Sequence, residues 1–319
     1  MKLRIGSRGS QLALWQANYI ADLLRANDHS VEIEIIKTTG DRLQGVTFAQ
    51  VVAESGKAKG MFTKEIEEAL AEGRVDLAVH SLKDLPTELP EGFALAATPK
   101  RVDPRDVLVS VKYADLASLP QGAVVGTSSQ RRRAQLKALR PDVQAVEFRG
   151  NVDTRLRKLA EGQVDAILLA AAGLDRLGKT EWVRQRLDPK DFCPAAGQGS
   201  LGIESREGDA ATLAVLAFLN DEMTRFAVTA ERAALAALGG GCQVPIGIHC
   251  RVASAQVGLV EIFGVVADPA TGRAIRAHET APRQRTDPEN LGRVIAGKLL
   301  DAGAREMLPG ITLVPGGAD

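Results

Sequence analysis

The stretch LAEGRVDLAV (Leu70–Val79) returns later in the chain as LAEGQVDAIL (Leu159–Leu168). Each copy reads as the end of a helix, a glycine that terminates it, a short turn and an apolar strand. One such joint is common in any α/β protein, but two joints in nearly one pattern indicate a duplicated pair of α/β units. Because ligands of such units bind beyond the carboxyl ends of the strands, the repeat predicts two similar, doubly wound α/β domains facing each other across a cleft.

The rest of the chain is predicted to complete this plan and to add a domain of another kind. Residues 100–105 read as a crossover into the second α/β domain, and residues 194–199 as the return. Further on, the pattern becomes helix, three strands, helix, which is typical of a small α+β domain with an antiparallel sheet. The predicted divisions are 1–99 with 200–219 for the first α/β domain, 100–199 for the second, 220–313 for the C-terminal domain and 314–319 for a disordered tail.

Local signals place individual elements. Leu3–Ile5 reads as a strand, and Ser10 as the N-cap of the helix that follows it. Thr127-Ser128-Ser129 follows a strand at Val124–Val125 and opens a helix. The C-terminal domain is predicted to contain helices at 224–238 and 288–303 and strands near 246–252, 259–266 and 274–278.

Composition restricts the class of protein. With 319 residues, of which 45% are hydrophobic and 25% charged, the chain is typical of a soluble globular protein of two or three domains. It has no run of about 18 uncharged apolar residues and no apolar signal-peptide core at its N-terminus, so no membrane association is predicted. Three cysteines without a Cys-x-x-Cys pair predict a reducing cytoplasm, and four scattered histidines predict no metal site.

The charge of the chain is balanced overall but uneven along it. The 40 basic and 40 acidic residues cancel, yet residues 126–158 contain nine basic residues against three acidic ones. A neutral protein that concentrates positive charge in one segment is predicted to bind an anion there. The alternative is a solvated helix face, which suits Lys137, Arg140, Arg157 and Lys158.

One cysteine lies in a glycine-rich loop, Gly239-Gly240-Gly241-Cys242-Gln243-Val244-Pro245. The glycines allow a tight turn, so Cys242 is offered on a loop instead of being packed in an apolar face. A thiol in this setting can be a nucleophile, a metal ligand, a covalent tether or a small hydrophobic residue without a chemical role.

A polar pair, Lys83 and Asp84, follows the strand of the first repeat copy. A Lys-Asp pair in a loop is usually a surface ion pair. Here the pair lies where a ligand is expected, because it follows the carboxyl end of a strand.

Together these segments resemble the porphobilinogen deaminase (hydroxymethylbilane synthase) family. The resemblance rests on Val79–Thr87, Gly126–Arg133, Arg149–Arg155 and the cysteine loop, and it extends from Arg4 to beyond Arg305. It implies two periplasmic-binding-protein-like α/β domains and a transferase of tetrapyrrole (heme) biosynthesis. Such an enzyme condenses four porphobilinogen molecules stepwise onto a covalent dipyrromethane primer with release of ammonia, and hydrolysis then releases hydroxymethylbilane.

The resemblance also implies roles for individual residues. Asp84 is the expected catalytic residue, and Cys242 is expected to carry the dipyrromethane cofactor through a thioether. The other expected cofactor-binding residues are Ser81, Lys83, Thr127, Ser129, Arg131, Arg132 and Arg155, together with Asp84. The expected substrate-binding residues are Arg8, Ser10, Phe62, Arg149, Arg176 and Gln198. Arginine forks suit a pyrrole that bears an acetate and a propionate.

The sequence departs from the family pattern in one loop. Where Gly-Gly-Lys-Gly-Leu-Phe is expected, the chain has GKAKGMF at residues 56–62, so either Lys57 or Lys59 could contact the ligand. Gln130 and Cys193 are also unusual for the family. Cys193 and Cys250 match no family motif and are expected to be structural.

Two other classes of protein are alternatives. A two-domain solute-binding protein for an organic anion also suits a duplicated α/β pair, but the cysteine loop and the extra C-terminal domain argue against it. A nucleic-acid-binding module is disfavoured by zero net charge and by 12 aromatic residues, none interleaved with the arginines. The expected partner is therefore the small molecule porphobilinogen, with no nucleic acid or membrane, and the expected oligomeric state is a monomer.

Overall fold

The computed structural model describes residues 1–39, 63–240, 244–254 and 258–308. Within those ranges no helix is long and apolar enough to cross a membrane. Four parts of the sequence-based predictions lie outside the described residues: the lysines of residues 56–62, Phe62, Cys242 and the tail at 314–319.

Thirteen strands are described. In chain order they are β1 (Lys2–Ser7), β2 (Ser30–Ile35), β3 (Leu77–Ser81), β4 (Phe93–Ala97), β5 (Asp106–Val109), β6 (Val124–Gly126), β7 (Gln144–Val146), β8 (Ala166–Ala170), β9 (Val183–Arg186), β10 (Leu201–Arg206), β11 (Ile246–Ser254), β12 (Leu259–Ala267) and β13 (Ala274–Pro282).

The described α-helices alternate with these strands in the first two thirds of the chain. They are α1 (Gln11–Arg25), α2 (Lys64–Ala71), α3 (Gln130–Leu139), α4 (Val152–Ala160), α5 (Ala171–Arg176), α6 (Ala210–Leu216), α7 (Glu222–Ala237) and α8 (Pro288–Asp301). Ser10, Ser129 and Asn151 cap α1, α3 and α4 with their side chains, as residues of these types commonly do.

Contacts divide the chain into two compact units. Unit 1 is Met1–Arg101 with Ser200–Glu222, and unit 2 is Val102–Gly199 with the chain from Met223 onward. The predicted divisions after residues 99 and 199 lie close to these limits. Unit 2 contains both the second α/β sheet and a separate three-stranded sheet, so a third independent domain at 220–313 stays a prediction.

Unit 1 is built on a five-stranded sheet of order β2-β1-β3-β10-β4. The first three strands are parallel, and β10 runs antiparallel to both its neighbours. Leu77 and Val79 of β3 pack with α1 on one face, whereas Ala78 packs with Ile66 and Leu70 of α2 on the other. Apolar side chains on both faces explain why β3 reads as a continuous apolar run.

Unit 2 repeats this arrangement in the order β7-β6-β8-β5-β9. Strands β7, β6 and β8 are parallel, and β5 is antiparallel to β8 and β9. Leu168 of β8 packs with Leu136 of α3, while Ile167 and Leu169 pack with Leu156 of α4 on the opposite face. Two similar α/β sheets, each covered on both faces, confirm the predicted fold class.

The two repeat copies form the same local structure. In each, the helix ends in a Schellman motif. Gly73 has φ +69° and Gly162 φ +76°, a left-handed conformation that glycine adopts without strain. The next residue donates its backbone N–H to the carbonyl five positions back: Arg74 to Ala69 at 3.0 Å, and Gln163 to Lys158 at 3.1 Å.

The C-terminal part of unit 2 has the predicted α+β form. The antiparallel sheet β11-β12-β13 packs its inward residues, such as Ile248 and Ile262, against α7 and α8. Gly292 allows the two helices to approach closely, because a Cβ there would lie 2.3 Å from the carbonyl oxygen of Ala230.

The strands β4, β5 and β9 were not predicted. Strand β4 is alanine-rich (FALAA) and β9 is mostly polar (VRQR), so neither has the β-branched, apolar pattern that indicates a strand. Both lie at the edge of their sheet, where fewer side chains need to be buried. Strand β5 (DVLV) is fully buried and begins directly after the segment interpreted as a crossover.

Candidate active site

In unit 1, Lys83 and the expected catalytic residue Asp84 lie on a turn anchored by buried leucines. Strand β3 ends at Ser81 and passes into a single 3₁₀ turn, Leu82–Asp84. Leu82 and Leu85 are 1% and 3% exposed, and the backbone N–H of Leu82 donates to the carbonyl of Ser200 at 3.0 Å. The turn is therefore fixed, while the side chain of Asp84 is exposed to solvent.

Arg8 and Ser10 lie at the same edge of the unit 1 sheet as Lys83 and Asp84. Strands β1 and β3 are parallel, and Arg8 follows the first as Lys83 follows the second. Ser10 Oγ accepts a 3.3 Å hydrogen bond from the backbone N–H of Ala13, so its side chain caps α1. Ser81 Oγ accepts a hydrogen bond from Gln16 Nε2 at 2.9 Å.

The corresponding edge of the unit 2 sheet holds most of the other predicted residues. Thr127 and Ser129 follow β6, Arg149 follows β7, and Arg176 ends the short helix after β8. The N–H of Ser129 donates to Thr127 Oγ1 at 3.2 Å, and Ser129 Oγ accepts from the N–H of Arg132 at 3.4 Å. These hydroxyl groups accept hydrogen bonds from backbone N–H groups at the N-terminus of α3.

Arg131 and Arg132 share one buried carboxylate, that of Asp106. Arg131 Nη1 donates to Asp106 Oδ2 at 2.6 Å, and Arg132 Nε donates to Oδ1 at 2.8 Å. Gln198 Nε2 donates to the same Oδ1 at 3.0 Å. Burial alone raises the pKa of the Asp106 carboxyl, but the two arginines and these hydrogen bonds hold it well below its usual range. The cluster is an ionised, hydrogen-bonded network.

Arg155 on α4 has a different environment. Its Nη2 lies 3.4 Å from Ser128 Oγ, and its Nε is buried with no hydrogen-bond partner among the described residues. Burial, reinforced by the positive charge of Arg132, lowers the pKa of Arg155 to about 10. A partly buried guanidinium beside other arginines is stabilised by an incoming anion.

The two remaining arginines of this edge are held by neighbours. Arg149 Nε donates to Glu147 Oε1 at 2.5 Å, and both side chains are partly exposed. Arg176 is 9% exposed, and its Nη2 donates to the carbonyl of Gly199 at 2.9 Å.

Comparison with known proteins identifies the family. The model described as porphobilinogen deaminase, dipyromethane cofactor binding domain, matches residues 3–214, and the porphobilinogen deaminase C-terminal domain matches residues 225–301. The porphobilinogen deaminase of Maridesulfovibrio salexigens is 49% identical over 309 residues, which cover 96% of this chain and 97% of the relative. That of Thiobacillus denitrificans is 49% identical over 308 residues, with coverages of 96% and 97%. The chain belongs to the porphobilinogen deaminase family.

Membership in the porphobilinogen deaminase family confirms several predictions. The enzyme class, a transferase with hydroxymethylbilane synthase activity, and the dipyrromethane cofactor are those expected from the sequence. The roles assigned to individual residues stay predictions.

Among solved structures, a periplasmic substrate-binding protein of an ABC transporter from Coxiella burnetii is 15% identical with a TM-score of 0.43, covering 70% of this chain and 94% of that chain.

The arginines of unit 2 fit the cofactor of porphobilinogen deaminases. Dipyrromethane is made from two substrate molecules and therefore carries several carboxylates. The buried Nε of Arg155 is a donor that such a carboxylate could satisfy, and Arg132 lies close enough to lower the pKa of Arg155. A site with this donor set suits a polycarboxylate.

The two described cysteines do not compete with Cys242 as the attachment point. Cys193 and Cys250 are 1% and 2% exposed. Burial raises the pKa of the Cys193 thiol to about 12, so the reactive thiolate is disfavoured there. The burial of both cysteines agrees with the structural role expected from the sequence.

Sequence reasoning missed two residues of this edge, Asp106 and Glu147. Asp106 adjoins the segment that reads as a crossover, and an acidic residue at the start of an apolar run, DVLV, is the signal that could reveal it. Glu147 is one of three acidic residues in the basic segment 126–158, and its position two residues before Arg149 is the signal that could reveal it.

Proposed function

We propose that the exposed carboxylate of Asp84 and the arginines at the unit 2 sheet edge carry out the porphobilinogen deaminase reaction in this chain. The substrate is porphobilinogen, and four molecules are joined with release of ammonia before hydroxymethylbilane is released by hydrolysis. The observation that carries the proposal is Arg155, whose buried Nε has no partner among the described residues and whose pKa is lowered by burial and by Arg132.

The arginines bind and orient carboxylates. Arg131, Arg132 and Arg155, with Ser81, Lys83, Thr127 and Ser129, hold the acidic side chains of the cofactor, while Arg8, Ser10, Phe62, Arg149, Arg176 and Gln198 hold those of the substrate. Each charge-assisted contact contributes about 1.5–3 kcal/mol. Of these residues, Arg8, Lys83, Thr127 and Arg149 follow strand ends, where the backbone is held by the sheet.

Asp84 acts on protons and on positive charge. Ammonia leaves the aminomethyl group of the substrate as that nitrogen is protonated, and the remaining pyrrole carries a delocalised cation. The Asp84 carboxylate stabilises this cation, and one of its Oδ atoms accepts the proton that the new carbon–carbon bond displaces from a pyrrole carbon. Dipyrromethane, bound through the Cys242 sulfur, supplies the pyrrole carbon that is extended.

The compartment, the oligomeric state and the partners of the enzyme are further parts of the proposal. The buried, free thiols of Cys193 and Cys250 support a reducing cytoplasm. We propose a monomer without nucleic-acid or membrane partners; the balance of 40 basic and 40 acidic residues supports the absence of a nucleic-acid partner. Light scattering coupled to size exclusion tests the monomer.

The decisive experiment is an intact mass of the purified protein, compared with its Cys242→Ala variant, together with a product assay. We expect the parent to carry the mass excess of a dipyrrole and to convert porphobilinogen to hydroxymethylbilane. The variant is expected to fold, to lack the excess and to be inactive. A parent without activity overturns the function, and a mass excess that persists in Cys242→Ala overturns the attachment point.

A further inference from the structure

Glu147 lies among the arginines proposed to hold carboxylates. It is in the segment between β7 and the N-cap of α4, two residues before Arg149. Its Oε1 accepts a hydrogen bond from Arg149 Nε at 2.5 Å, and its Oε2 accepts one from Arg133 Nη2 at 3.5 Å. One carboxylate thus contacts two guanidinium groups from different parts of unit 2.

Its influence extends to a third arginine. Glu147 raises the pKa of Arg155, against the lowering by burial, by Arg132 and by Arg149. The negative charge of Glu147 therefore offsets repulsion among cations that the fold has placed close together.

The other acidic residues near this segment are engaged elsewhere. Asp142 pairs with Arg140 at 2.6 Å, and Asp153 pairs with Lys179 at 2.8 Å. Asp106 is held by Arg131 and Arg132. Among these four carboxylates, Glu147 is the one that contacts Arg149.

The ion pair between Glu147 and Arg149 is partly exposed to solvent and weak enough for another carboxylate to replace Glu147. The side chains of Glu147, Arg149 and Arg133 are 50%, 35% and 28% exposed. Water screens such a pair, and exposed ion pairs contribute little to stability. A substrate carboxylate of the same chemistry could take the place of Glu147 on Arg149 without a large cost.

We propose that Glu147 is an internal competitor of the substrate: its carboxylate occupies Arg149 until a carboxylate of porphobilinogen displaces it. Glu147 is a positioning residue that offsets the repulsion among these arginines in the free enzyme and weakens substrate binding. The inference rests on the proposed function, because it takes Arg149 as a substrate-binding residue.

Two opposite effects follow for Glu147→Gln, which keeps the shape of the side chain and removes its charge. Substrate binding becomes tighter, since no carboxylate competes for Arg149. The folded protein becomes less stable at low salt, since Arg133, Arg149 and Arg155 repel one another without their counter-ion. If Glu147 merely supported the loop, its substitution would lower the stability of the protein without tightening substrate binding.

The experiment measures KM and kcat for porphobilinogen, and the melting temperature, in the holoenzyme and in Glu147→Gln. The matched control is Glu161→Gln, which removes a similar exposed pair with Arg157, 2.7 Å apart at the C-terminal end of α4. We expect Glu147→Gln to lower KM about two- to fivefold, with kcat changed less and the melting temperature reduced at low salt. The control should leave KM unchanged, and high salt should shrink the difference in KM.

The outcomes are distinguishable. An unchanged or raised KM in Glu147→Gln overturns the proposal, as does an equal fall in KM in Glu161→Gln. If the parent does not convert porphobilinogen, the proposed function itself fails. Calorimetric titration with citrate, a polycarboxylate that needs no turnover, then still tests Glu147: tighter citrate binding by the variant supports the competition, and equal or weaker binding overturns it.

Discussion

Asp106 Oδ2 and Arg131 Nη1 lie 2.6 Å apart, with the side chains 0% and 5% exposed. Such a pair is stabilising only while both charges are present, because each has lost its hydration. Asp106 also accepts hydrogen bonds from Arg132 and Gln198, so its carboxylate determines where three of the predicted site residues lie.

Asp106→Asn is therefore expected to destabilise the fold strongly. Two buried guanidinium groups would lose their counter-ion, which costs about 3–5 kcal/mol of the free energy of unfolding. Denaturant unfolding measures the loss. Asp142→Asn, which breaks a partly exposed pair with Arg140, is the control and should cost about 1 kcal/mol or less. Equal, small losses in both variants would show that the Asp106 network contributes little.

The same carboxyl gives a pH dependence of defined sign. The folded-state pKa of Asp106 lies below its ordinary value of 3.8, so its stabilising contribution is fully present above that value. It is lost as pH falls from there towards the folded-state pKa. The parent and Asp106→Asn should therefore differ most above pH 4 and converge in strong acid.

Arg155→Gln separates cofactor binding from stability. Because the Nε of Arg155 is buried without a partner among the described residues, removing the charge should leave the unloaded chain as stable as before, or more so. The variant should nevertheless show a reduced dipyrrole mass excess. Arg157→Gln on the same helix, whose side chain is 64% exposed, should load normally. Full loading of Arg155→Gln would remove Arg155 from the cofactor site.

The repeat shows how much of the fold the sequence determines locally. Gly73 and Gly162 each end a helix because the left-handed conformation is needed at that position, and this requirement is visible in the sequence. The role of the aspartates of the repeat is not visible in the sequence. Asp76 Oδ2 and Asp165 Oδ2 each accept a 2.8 Å hydrogen bond from the backbone N–H of the neighbouring strand, at Arg4 and Val124.

Less of the candidate site than of the fold could be predicted from the sequence. The strand-end positions of Asp84, Thr127 and Arg149 follow from the repeat and from local pattern. The ion pair of Arg131 with Asp106 does not follow from local pattern, because the two residues are 25 positions apart in the sequence. Asp106 begins β5 and reaches Arg131 through the antiparallel pairing of β5 with β8. Periodicity identifies elements, whereas ion pairs between elements depend on sheet order, which no local pattern contains.

Glu67 on α2 provides a second test of pH dependence. Burial raises the pKa of Glu67 above its ordinary value of 4.5. The interaction with the Thr63 side chain and the charge of His80 oppose this effect, and the nearby charge of Glu204 adds to it. A carboxyl with a raised folded-state pKa favours folding at low pH, and this contribution is lost as pH rises through that pKa.

Glu67→Gln, which cannot ionise, should therefore have a higher melting temperature than the parent at pH 8, and the two should agree near pH 4. The neighbouring exposed residue supplies the control: Glu68→Gln, which removes a 3.7 Å pair with Lys64, should follow the parent's pH profile. A lower melting temperature of Glu67→Gln at pH 8 would mean that the ionised carboxylate makes a favourable contact.

The last prediction concerns Asp84. Its turn is anchored by Leu82 and Leu85, so a change of the exposed side chain should leave the fold intact. Asp84→Asn has the same shape but can neither accept a proton nor balance the substrate cation, and we expect it to lose nearly all turnover while its melting temperature stays within about a degree or two, as for most surface changes.

Asp84→Glu keeps the charge and displaces it by one methylene, so part of the activity should remain. Single-turnover ammonia release compares the parent with both variants, and Glu88→Gln, an exposed acid four residues further on, is the control that should retain full activity. Ammonia release that decreases from the parent to Asp84→Glu and then to Asp84→Asn would show that the reaction needs a charged carboxylate at this turn. If Asp84→Asn releases ammonia as fast as the parent, Asp84 is an ion-pair partner of Lys83 and the proton must be carried by another group.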